Sequence, residues 1–98
     1  MPQVIFSPAA VHDLERLRKF LQPNKYAIRQ ASARIKKAIQ LLEENPSMGR
    51  KVEEMGLEYR ELIIDFGNSG YIVLYRFDAG NVTILALRHQ KEKEYRLL

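Results

Sequence analysis

Apolar residues recur along this chain with two different periods, and each period marks a different kind of element. Val11, Leu14, Leu17 and Leu21 return every three or four positions, which places them on one helical face, while His12, Glu15, Arg16 and Lys19 point elsewhere. A second run, Ile28, Ala31, Ile35, Ala38, Ile39 and Leu42, continues the same period. Ser7-Pro8 supplies an N-cap hydroxyl and then the residue best suited to the first helical position. Pro23-Asn24 ends the first run. Asn45-Pro46 ends the second, because proline restricts the residue before it and has no N–H to donate. So short a turn between two helices predicts an antiparallel hairpin.

The period changes after an irregular connection over residues 47–58, which holds Gly49, Arg50, Lys51 and Gly56. Residues 59–66, 71–77 and 82–88 are rich in Ile, Val, Leu, Tyr and Phe, and Gly67-Asn68-Ser69-Gly70 and Asp78-Ala79-Gly80-Asn81 separate them. These are strand and tight-turn compositions, so the three segments predict an antiparallel meander. With a short apolar strand at Gln3–Phe6, the order is β-α-α-β-β-β. The expected fold is α+β: an antiparallel helical hairpin packed on a twisted, mainly antiparallel four-stranded sheet.

Alternation assigns the strand faces. It turns Leu62, Ile64, Phe66, Tyr71, Val73, Tyr75 and Phe77 toward the helices, and leaves Glu61, Ile63, Asp65, Ile72, Leu74, Arg76, Leu85, Leu87 and His89 on the opposite face. That second face is more apolar than a water-facing sheet surface should be. Ile63, Ile72, Leu74, Leu85 and Leu87 ask for a cover, which could be a tail, another subunit or a partner chain.

Composition narrows the function classes. Ninety-eight residues make one domain spanning 1–98, and 46% hydrophobic with 29% charged residues is the balance of a soluble globular chain. With no cysteine and two histidines, neither a disulfide nor a metal site is expected. No apolar run approaches the roughly 20 residues that span a bilayer, and residues 1–7 lack signal-peptide architecture. The expected compartment is therefore the cytoplasm, with no membrane partner. A net charge of +4 favours an acidic partner, nucleic acid or protein. The charge is also segregated: between Glu15 and Glu43 there is no acidic residue, yet the interval holds Arg16, Arg18, Lys19, Lys25, Arg29, Arg34, Lys36 and Lys37. Such a run is either a partner surface or a solvated helix face.

Two stretches carry more specific information. "YRELIIDFGNSGYIVLYR" (residues 59–76) followed by "VTILALRHQKEKEY" (residues 82–95) resembles the RelE/ParE superfamily, the toxin halves of bacterial type II toxin–antitoxin modules. The most telling pieces are Ser69-Gly70-Tyr71, Leu74-Tyr75-Arg76 and Arg88-His89-Gln90 with Glu92 and Tyr95. The resemblance implies one of two activities. RelE-like toxins cleave messenger RNA in the ribosomal decoding site. ParE-like toxins poison DNA gyrase by stabilising its cleaved-DNA complex.

The cleavage reaction needs a group that activates the ribose 2′-hydroxyl, positive charge for the transition state and a proton donor for the leaving oxygen. The ribonuclease branch supplies these with lysines before the Ser-Gly-Tyr turn, an arginine after its tyrosine, another at the end of the last strand and a tyrosine beyond. Here Ile63, Ile64 and Asp65 stand where the lysines belong, and Ile72 follows Tyr71. Only His89 and Tyr95 match, with Arg88 beside them. The resemblance therefore points to the gyrase-directed branch, which needs no cofactor, with the ribosome-dependent endoribonuclease as one alternative and a non-toxic binding module on the same fold as another.

Under this expectation Arg60, Arg76, Arg88, His89, Lys91, Lys93 and Tyr95 grip the target. Arg16, Lys19, Arg29 and Lys36, with the apolar Ile63, Ile72, Leu74, Leu85 and Leu87, receive the flexible acidic tail of a cognate antitoxin in a hetero-oligomer. Competing assignments remain for several of these: His89 as a general base or as a hydrogen-bonding residue at a strand end, and the arginines as anion grips or as partners of Glu61, Asp65, Glu92 or Glu94. Tyr59, Tyr71 and Tyr75 are expected as core aromatics, and His12 as a surface residue.

Overall fold

The computed structural model describes residues 3–67 and 69–95. The chain runs through β1 (Gln3–Phe6), α1 (Pro8–Leu21), α2 (Lys25–Glu44), β2 (Arg50–Lys51), β3 (Tyr59–Phe66), β4 (Ser69–Asp78) and β5 (Asn81–His89). The strands form one sheet in the order β1-β5-β4-β3-β2, with β1 parallel to β5 and the other neighbours antiparallel. The α+β architecture is as expected, with one strand more: Arg50 and Lys51 pair with Glu61 and Arg60 inside the segment read as irregular. Two residues are too few to show a period.

Local chemistry starts both helices. Ser7 is extended, and its Oγ accepts the Ala10 N–H at 3.1 Å while donating to the Leu85 carbonyl at 3.1 Å, so one hydroxyl caps α1 and ties it to β5. Asn24 Oδ1 accepts the Ala27 N–H at 3.0 Å at the head of α2. α1 buries Ala10, Asp13 and Leu17, and α2 buries Ala31, Ala38 and Leu42. Against them pack Ile64, Tyr71, Val73, Tyr75, Val82, Ile84 and Leu87 from the sheet. At the middle of this core, the fully buried Tyr75 donates its hydroxyl to the Pro46 carbonyl at 2.7 Å and accepts the Gly49 N–H at 2.9 Å. The loop after α2 is thereby pinned to the sheet at Gly49, where a Cβ would lie 2.7 Å from that hydroxyl.

The expected faces hold for β3 and β4 but not for all of β5. Tyr75 pairs with Ile84 and Leu74 with Ala86, so Leu85 is an extra residue in a β-bulge. Beyond the bulge the alternation is shifted by one. Leu87 belongs to the helix-side core, and His89 lies opposite Tyr71 on that same side, rather than on the far face. Strict alternation cannot register an inserted residue.

The far face is covered in part by the chain itself. Tyr95 donates its hydroxyl to Glu61 on β3, and the Arg88 guanidinium of β5 sits 5.0 Å from the centre of its ring. Glu61 is paired with Leu74 and Arg88 with Ile72, so a side chain held by both lies on the face of β4 that carries Ile72 and Leu74. These two are 6% and 1% exposed, whereas Ile63 remains 45% exposed.

Candidate functional site: a basic cleft beside His89

A cleft of about 870 Å³ opens between the second half of α1 and the end of the sheet where β3 passes to β4 and β5 stops. Its walls include Arg16, Lys19 and Phe20 of α1, Phe66, Ser69 and Tyr71 of the sheet, and His89, Lys91 and Glu92 at the end of β5. The floor is aromatic: Phe66 stacks on Tyr71 at 5.7 Å, and the His89 ring meets Tyr71 edge-on, also at 5.7 Å. Burial pushes the Tyr71 hydroxyl above its ordinary range, so it stays neutral.

Both His89 ring nitrogens are engaged. Nδ1 accepts the Lys91 backbone N–H at 3.1 Å, and Nε2 lies 2.9 Å from Ser69 Oγ. Because Nδ1 accepts, the neutral ring carries its proton on Nε2 and donates it to the serine. A histidine that activates a serine does the reverse, accepting at Nε2 while an acid holds the Nδ1 proton. The Ser69–His89 pair is therefore arranged to fix the ring, not to generate a nucleophile.

One wall of the cleft is built where β1 ends. Past Ile84, no strand among the described residues pairs with the outer edge of β5, and side chains of α1 take that place. Asp13, 1% exposed, accepts the Leu87 N–H at 2.9 Å, while Arg16 donates to the Leu87 carbonyl at 3.3 Å, to Asp13 at 3.3 Å and to Glu92 at 2.7 Å. Glu92 in turn accepts the His89 N–H at 2.9 Å. The result is a continuous polar seam from α1 to the residues after β5. Asp13 and Glu92 were absent from the sequence-based site. Asp13 did leave a trace, since it is a charged residue beside Leu14 on the apolar stripe of α1.

The expected target residues divide among several places. His89 and Lys91 share the cleft; Arg88 and Tyr95 lie together on the opposite face of the sheet. Arg60 spends its guanidinium on the Ser47 and Gly49 carbonyls, at 3.1 and 2.8 Å. Arg76 pairs with Asp78 at 2.7 Å, and Lys93 is exposed. Of the expected antitoxin residues, Arg16 and Lys19 line the cleft, and Arg29 and Lys36 stand exposed on α2. Ile63 is accessible and Leu85 half-buried, but Ile72, Leu74 and Leu87 are buried and offer no docking area. Tyr95 is pushed well above the ordinary tyrosine value of 10.0, first by burial and then by Glu61. It is a poor proton donor as it stands. Among the described residues no cluster of His, Asp and Glu could hold a metal ion.

A helical hairpin laid on a five-stranded mixed sheet is the α+β fold of a RelE/ParE-superfamily toxin. The family model described as the ParE toxin of type II toxin–antitoxin systems, parDE, matches residues 4–94, and the chain belongs to that family. Toxin RelE3 of Caulobacter vibrioides is 33% identical over 95 residues, which cover 95% of this chain and 99% of that one. A solved structure of a chromosomal ParDE toxin–antitoxin system from P. aeruginosa shares the fold with a TM-score of 0.71 at 14% identity, covering 91% of this chain and 96% of the other.

Proposed function

We propose that this toxin acts by gripping DNA gyrase so that the cleaved-DNA intermediate persists, with no hydrolytic step of its own, and that a cognate acidic antitoxin neutralises it by folding onto it in the cytoplasm. The observation that carries the reading is the separation of His89 from Tyr95. Cleaving a phosphodiester requires base, cations and acid to converge on one group. Here the two residues that match the nuclease pattern sit on opposite faces of the sheet, each held by other partners. By the resemblance, Ile63, Asp65 and Ile72 stand where the ribonuclease branch carries cations. On this reading Lys91 and His89 form the target grip, with Arg76, Arg88 and Lys93 contributing charge. The antitoxin tail lies along Lys19, Arg29 and Lys36, with Ile63 and Leu85 as apolar contacts.

One observation favours a second reading, a ribosome-dependent endoribonuclease: Lys19 and Lys91 do border the cleft that holds His89, and a full-length relative carries the name RelE3. A gyrase supercoiling assay run beside primer extension on translated transcripts separates the two. The gyrase reading expects inhibited supercoiling, trapped cleaved DNA and intact transcripts. Fragmented transcripts with unaffected gyrase would replace it by the nuclease reading, and His89→Ala should then slow cutting by about 100-fold or more.

A further inference from the structure

The tip of the helical hairpin adds two exposed aromatic rings to cations of which the cleft and the proposed antitoxin surface use only a part. α1 ends at Leu21 and α2 begins at Lys25, so Phe20 and Tyr26 stand on either side of a three-residue turn. Both rings face solvent, at 82% and 70% exposure. Within three residues of one ring or the other along the chain stand Arg18, Lys19, Lys25 and Arg29, all exposed, and among the described residues none of these four is in an ion pair. No acidic residue lies between Glu15 and Glu43 to neutralise them.

Exposing two large rings is costly in water, and four uncompensated cations beside them repel one another and any second copy of the same surface. Acidic side chains answer the charge but offer the rings no flat partner. A polynucleotide strand answers both features, because phosphates meet the cations while unstacked bases lie on the rings. We propose that the hairpin tip is a binding site for single-stranded nucleic acid, with Phe20 and Tyr26 as stacking platforms and Arg18, Lys25 and Arg29 as phosphate contacts. Phe20 and Lys19 also line the cleft, so a strand held at the tip leads toward His89. The inference stands apart from the choice of cellular target, since it concerns direct contact between this chain and a strand.

Anisotropy titration of the full-length toxin into labelled single strands of about 12 nucleotides, one DNA and one RNA, tests it, with a duplex of the same sequence and a polyglutamate competitor alongside. The proposal expects single strands to bind at low salt and to weaken steeply as salt rises. Phe20→Ala and Tyr26→Ala should each lower single-strand affinity about tenfold without changing the salt slope, while leaving duplex binding nearly as it was. Lys25→Glu with Arg29→Glu should lower affinity and flatten the slope. Preference for the DNA or the RNA arm tells which source of strand the site takes, and either supports the site. Absence of binding at about 50 mM salt, or binding that the ring substitutions leave intact and polyglutamate displaces charge for charge, would overturn it and assign the tip to an acidic protein. All four side chains are exposed, and an unchanged thermal melt confirms that each variant is folded.

Discussion

Asp13 is the buried charged residue of the helix-to-sheet seam. Its carboxylate is buried against the Leu87 N–H and the Arg16 guanidinium, so it joins α1 to β5 directly and holds the arginine that reaches Glu92 beyond the strand. Removing it strands a buried backbone donor and leaves Arg16 with Glu92 as its one remaining acidic partner. Asp13→Ala should therefore cost about 2–4 kcal/mol, read from the shift in urea midpoint at constant m. Asp13→Asn keeps an acceptor for Leu87 and should cost less than half as much. Tyr75 is the neutral counterpart. Tyr75→Phe leaves the buried Gly49 N–H without its acceptor and should cost about 1–2 kcal/mol in the same measurement.

Between elements, the decisive contacts lie where the sheet is incomplete. β1 stops short, so α1 side chains finish the outer edge of β5; among the described residues no helix packs on the far face, and Tyr95 lies on the side of the sheet that carries Ile72 and Leu74. Tyr95→Ala should uncover those two side chains, raising the fluorescence of a bound apolar dye and lowering stability by about 1–3 kcal/mol. Leu74→Glu, which would probe antitoxin docking if that residue faced solvent, should instead unfold the chain, because a carboxylate would enter a site 1% exposed. This is also where sequence reasoning fell short. The faces of β3 and β4 followed from alternation, but the bulge at Leu85 turned Leu87 and His89 to the helix side and so moved His89 into the cleft with Lys19 and Ser69. A ladder irregularity depends on what the neighbouring strand and helix demand, and a single strand's composition does not record it.

For the whole molecule, charge and proton binding set the limits of stability. The helical layer holds eight cations between Glu15 and Glu43 with no acid among them, and the self-repulsion is screened by salt. Raising sodium chloride from about 0.05 to about 0.5 M should lift the melting temperature by a few degrees, the opposite of a protein held by surface ion pairs. Alkali acts in the other direction. Tyr71, Tyr75 and Tyr95 all have folded values raised above 10.0, chiefly by burial, so the native state holds their protons more firmly than the unfolded chain does. Their contribution is complete below pH 10 and is lost as pH climbs through the folded values. Stability measured from pH 9 to 11 should decline above about 10, and Tyr95→Phe should flatten the decline.

The sequence by itself determined the order of every element but the two-residue β2, the helical hairpin, the meander, the segregated positive charge and the family, because local periodicity, capping and turn chemistry depend on residues close together in the chain. Tertiary structure alone decided that His89 and Tyr95 face away from each other, that Arg16 belongs to a seam with Asp13 and Glu92, and that Ile72 and Leu74 are covered. Those outcomes depend on one bulge and on contacts between residues more than 30 positions apart, such as Glu61 with Tyr95 and Asp13 with Leu87. Packing of the assembled layers chooses such pairs, and no local pattern encodes them.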